Sequence, residues 1–185
     1  MATQTESSLR GHISDMKAAT DHLVEAFTHQ LADQGVQKNA TLSALVQRLQ
    51  TTAKSQSQRL EAELDRFGAP ASDGVKGLVA AVAGTVAGLY DRMRSNTVSR
   101  MLRDDYTAMS LAVVSNSMLH VTALAADDPA LAATALRNME ELAPLIIEVG
   151  EAILPVVELE LSEEFTPRAG AASTALENVR SVWKK

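Results

Sequence analysis

Cysteine is absent from the chain, which excludes disulfides, thiolate metal sites and thiol nucleophiles together. Aromatic residues make up only 3%, so a core must be built from Leu, Val, Ala and Met, and few rings are offered for nucleotide bases to stack on. A basic surplus is missing as well. The 17 Lys and Arg stand against 23 Asp and Glu, for a net charge of -6 and a pI near 5.2. Phosphate backbones are bound by basic surfaces, so nucleic acid is not an expected partner. The opening MATQTESSLRGHISD lacks the apolar core of a secretory signal, and a cytoplasmic protein is expected. No Ser/His/Asp arrangement, phosphate loop or Gly-rich nucleotide fingerprint occurs, which leaves no basis for a hydrolase, kinase or dehydrogenase.

What is present fits one helical domain. A chain of 185 residues with 46% apolar and 22% charged residues can bury a substantial core. Its longest run without Asp, Glu, Lys or Arg is residues 106–126, YTAMSLAVVSNSMLHVTALAA. That run predicts the most enclosed helix of an all-helical bundle. Six polar side chains, including Asn116 and His120, make it too polar for a lone membrane span. Buried in protein, they require hydrogen-bond partners or a ligand.

In chain order, residues 1–10 read as a flexible tail, 11–162 as the bundle and 163–185 as a linker with a short amphipathic helix. The first helix is expected over residues 11–34, stopped by Gly35, with Ile13, Met16, Leu23, Phe27 and Leu31 on one face. His22, Glu25 and His29 share the opposite side and form the most metal-like cluster in the chain. Carboxylate and His pairs at that spacing are commonest on solvated faces, so a structural role there is favoured over a ligand set, unless two subunits share a metal.

A second helix over 40–67 carries Leu42, Leu45, Val46, Leu49, Leu60, Leu64 and Phe67. Its inward positions turn small and polar at Thr52, Ala53, Gln56 and Ser57. The third, over 75–95, gathers Gly77, Ala80, Ala81, Gly84 and Gly88 on one side. Glycine costs about 1 kcal/mol against alanine in a helix, so such a face implies close approach of another backbone, within the bundle or across a dimer.

In the central helix, Tyr106, Met109, Val113, Asn116, His120 and Leu124 share a sector, which makes Asn116 and His120 buried polar residues together with Gln56. Asp127-Asp128-Pro129 reads as the capped start of the last helix. Pro144 and Pro155 are expected to kink it, with Leu131, Leu142, Ile146, Val149, Ile153 and Val156 inward. Near the C-terminus, Leu176, Val179, Val182 and Trp183 form one face that packs on its own oligomer or docks on a partner.

Three segments, RLEAELDRFGAP, GLVAAVAG and LRDDYTAMSLAVVSNSMLH, resemble stretches of the stress-associated ferritin-like proteins of the YciE/YciF type, over residues 23–161. The resemblance implies a ferritin-like up-and-down four-helix bundle. Proteins with that fold hold two metal ions through inward Glu residues and E-x-x-H pairs. This chain contains no E-x-x-H. Aligned on the family, the ligand positions fall at Ala53, Gln56 and Ala81 and in the run Ser115-Asn116-Ser117-Met118, while Glu140 or Glu141 is followed by Ala143 and Pro144 instead of a His. No cofactor is therefore expected.

The leading expectation is a non-catalytic structural or interaction protein, homo-oligomeric and most simply a dimer, with Gly77, Ala81, Gly84, Gly88 and the C-terminal face as contact residues. Two alternatives stand beside it. One is metal handling at His22, Glu25 and His29 or at His120. The other is a small-molecule or lipid site among Gln56, Asn116 and His120 or along the third helix.

Overall fold

The computed structural model describes residues 4–68 and 97–183. Among the described residues every regular element is helical: α1 Gln4–Leu31, α2 Gln34–Gln37, α3 Ala40–Arg66, α4 Val98–Ala125, α5 Pro129–Leu161 and α6 Ala171–Trp183. Single side-chain oxygens set three of the starts. Asp33 accepts from the Gly35 and Val36 amides, Asn39 from Leu42, and Asp128 from Leu131 with Pro129 in the first turn. Each removes an orphan amide from a helix end. The start of α5 is the one the Asp-Asp-Pro signature predicts.

Helix α1 begins at Gln4, not near residue 11. Leu9, assigned above to a flexible tail, is 3% exposed and packs with Ile13, Met16, Leu119 and Leu131. The helix also ends earlier, at Leu31, and Gly35 lies inside the short α2 instead of supplying the stop. Helix α5 runs unbroken through Pro144 and Pro155. The expected helix over 75–95, with Gly77, Ala81, Gly84 and Gly88, lies outside the described residues.

The four long helices touch in a ring: α1 against α3 and α4, and α5 against α4 and α3. Side-chain bonds fix their directions. Arg48 meets Glu148, Gln56 meets the Asn138 carbonyl and Arg66 meets Asp128, so α3 and α5 are antiparallel. Gln30 meets Asp105 while Leu9 and Ile13 join Leu119 and Ala123, so α1 and α4 are antiparallel too. Between α4 and α5 the chain reverses in one tight turn. Asp127 adopts the left-handed conformation (φ 56) and the Asp128 amide donates back to Ala123 O at 2.9 Å, closing the helix end in a Schellman arrangement. The end of α3 and the start of α4 therefore stand at opposite poles.

The buried seam of α4 is Met101, Asp105, Met109, Ala112, Asn116, Leu119 and Ala123. It lies one residue ahead of the predicted sector over its second half: Ala112, Leu119 and Ala123 replace Val113, His120 and Leu124. At Ala123 a small residue is favoured because Ala132 and Ala135 of α5 pack in the same cluster, which lets the two helices approach closely. Leu124 is consequently 57% exposed.

Candidate functional site

At the centre of the ring, α3, α4 and α5 meet through hydrogen-bonded uncharged side chains. Asn138 donates to Asn116 Oδ1 at 3.2 Å, and Asn116 donates to the Ala112 carbonyl at 2.9 Å. Gln56 donates to the Asn138 carbonyl at 3.1 Å. Arg59 reaches in from the rim to Asn138 Oδ1 at 3.0 Å and pairs with Glu141, which Arg137 also holds at 3.0 Å. Burial opposes ionisation of Glu141, but the two arginines outweigh it and hold its carboxyl below the usual range. Gln56, Asn116 and Asn138 leave no buried side-chain atom unpaired. Such a layer fixes helix register and offers no open ligand position. Sequence reasoning found Gln56 and Asn116 and missed Asn138, which sits four residues before Leu142 on the same face of α5 and is fully buried.

His120 is half-buried, and its Nδ1 donates to the Ala132 carbonyl at 2.8 Å. It ties α4 to α5 across their turn. The predicted metal-like cluster does not assemble. Glu25 and His29 are both exposed, with Nε2 and Oε1 3.7 Å apart, whereas His22 is half-buried. Among the described residues no three His, Asp or Glu side chains gather to hold a metal ion.

The C-terminal helix α6 lies on α5 of its own chain. Arg180 grips Glu151 with two bonds of 2.8 Å, and the Ala171 amide donates to Glu158 at 3.1 Å. Leu176 is half-buried in this contact, while Val179 and Val182 remain exposed. Trp183 closes the helix; its side chain lies outside the description.

Helix α4 departs most from expectation. Far from the most enclosed helix, it presents Leu111, Val114, Met118, Val121 and Leu124 at 44–64% exposure among the described residues. They recur at helix spacing and form one continuous apolar face. It is also the one described helix long and apolar enough to cross a membrane by length and composition. Beside this face, between α1 and α4, a cavity of about 120 Å³ opens, lined by Met16, Leu23, Leu111 and Met118 with His12 and Asp15 at its polar edge. Burial outweighs the neighbouring His12 and raises the Asp15 carboxyl.

No protein-family model, curated protein or solved structure matches this chain.

One buried group escaped the sequence reading. Asp105, which immediately precedes the charge-free run, is 4% exposed and lies four residues before Met109 and eleven before Asn116 on the buried seam. Gln30 Nε2 donates to its Oδ1 at 2.7 Å. Burial, only partly offset by that bond and reinforced by the neighbouring Asp104, pushes its carboxyl up to about 7.

Proposed function

We propose that the chain is a non-catalytic, ferritin-like helical-bundle protein that acts by self-association, two copies pairing through the apolar face of α4. The observation that carries this reading is the row Leu111, Val114, Met118 and Val121, exposed on a helix of the ring. Large contiguous apolar patches on a folded protein mark contact surfaces. Residues 106–126 bear no charge, so two copies packed antiparallel about a two-fold axis bring no like charges together. The ring, with one long connection between antiparallel hairpins α1–α3 and α4–α5, is compatible with the ferritin-like topology that the sequence resemblance implies. An association with stress responses rests on that resemblance alone.

Sedimentation of the protein over a range of concentrations tests the reading. A dimer is expected, converted to a folded monomer by Val114→Glu. A monomeric parent protein with unchanged helicity would overturn it. If the parent is monomeric and Val114→Glu lowers its melting temperature, the face is covered within one chain.

A second reading, an apolar small-molecule or lipid binder, is favoured by the cavity between α1 and α4. Native mass spectrometry of freshly purified protein would reveal a retained ligand; its loss in Met118→Glu would place it in that cavity.

A further inference from the structure

We propose that Asp105 and Gln30 form a buried proton-binding site: the neutral Asp105 donates from Oδ2–H to Gln30 Oε1 while Gln30 Nε2 donates to Oδ1, closing a two-bond ring that opens when the proton leaves. The geometry behind this is a matched pair of defects. Gln30 and Asp105 are 2% and 4% exposed and share one bond, Nε2 to Oδ1 at 2.7 Å. Among the described residues, the buried side-chain oxygens left without a partner are Gln30 Oε1, Asp105 Oδ2 and Asp104 Oδ2. The first two sit on the two groups already joined. Both are acceptors, so they cannot satisfy each other while Asp105 is ionised; one proton on Oδ2 supplies the missing donor. Buried polar groups are rarely left unpaired, because each costs the full loss of its hydration.

The surroundings favour the neutral form. On its own helix the charge acting on Asp105 is that of Asp104, which Arg103 holds at 2.7 and 2.8 Å. The apolar cluster built by α1, α2, α3 and α5 includes Phe27, Val36, Leu45 and Val149, and the buried Gln50 of α3 is uncharged and bonded to Thr28. Among the described residues, the charge that bears on the carboxyl is that of Asp104. The raised carboxyl described above agrees with this arrangement. Because the folded protein keeps a proton that the unfolded chain releases near its ordinary value of 3.8, the bond pair stabilises the fold most at low pH. That contribution falls as pH rises towards neutrality and stays lost above it. The site is thus a pH-sensitive fastening between the end of α1 and the start of α4.

Asp105→Asn tests it, since an asparagine amide reproduces both bonds without a titrating proton. Denaturation of the full chain and the variant from pH 4 to 9 should show the ratio of their folding constants shifting against the parent by about tenfold per pH unit between about 4 and 7, then levelling. A ratio independent of pH would overturn the proposal. Independently of the variant's folding, the ¹³C carboxyl resonance of Asp105 in the parent protein should titrate near neutrality; titration in the ordinary acidic range would refute it. Stabilisation of the parent at pH 8 by magnesium, manganese or calcium chloride, absent in Asp105→Asn, would also refute it, because a cation would then occupy the unpaired oxygens.

Discussion

Asn138 carries more of the interior than its size suggests. Its carbonyl accepts from Gln56, its amide donates to Asn116, and its Oδ1 receives Arg59. Asn138→Ala leaves Asn116 Oδ1 without a donor in a buried setting and removes one acceptor from Arg59, which keeps Glu141 and Ser55, for an expected loss of about 2 kcal/mol in urea denaturation. Combined with Asn116→Ala, the effect should be less than additive, because the second change removes the group that the first one orphaned. Buried polar positions were partly legible in the sequence. Gln56 and Asn116 sit among apolar neighbours at helix spacing and announce themselves. Asp105 does not, because a carboxylate next to a second one and an arginine reads as the end of a run, although its spacing to Met109 and Asn116 was there to be read.

Among the elements, α5 shows most plainly how local chemistry sets a boundary. Asp128 caps it through Leu131 at 3.0 Å and is gripped by Arg66 at 2.6 Å. Burial disfavours its charge, yet those bonds prevail and keep its carboxyl below the usual range. A depressed carboxyl stabilises the fold above its unfolded value and loses that contribution as pH falls through the acidic range. Asp128→Ala should therefore cost about 1–2 kcal/mol at neutral pH, with the difference from the parent shrinking below about pH 4; thermal melts at pH 7 and pH 3 check both. Helix α4 was legible as a helix from its charge-free run but not in phase. Its buried seam uses Ala112 and Ala123 where larger Val113 and Leu124 suggested themselves, and at Ala123 packing with Ala132 and Ala135 rewards a small side chain more than a greasy one. Nor could the run's lack of charge say whether its outer face is covered: apolar sequence records affinity for burial, not the identity of what does the burying.

For the molecule as a whole, the reading depends on an interior closed by amides and on an apolar face left outside it. Ala53, Gln56, Ser115, Asn116, Ser117 and Met118 supply no carboxylate or imidazole, and no three His, Asp or Glu side chains gather among the described residues. Protein from cells grown with added iron, manganese and zinc should carry metal well below one ion per chain, and chelator treatment should leave its melting temperature unchanged. The association itself can be read directly. Because the chain has no cysteine, Met118→Cys introduces a single thiol at the middle of the exposed face, where an antiparallel pair brings each residue near its own copy. Mild oxidation should yield a disulfide-linked dimer from Met118→Cys and none from Thr41→Cys, which is exposed on α3. Equal, slow cross-linking of both variants, with the parent sedimenting as a monomer, would contradict the account.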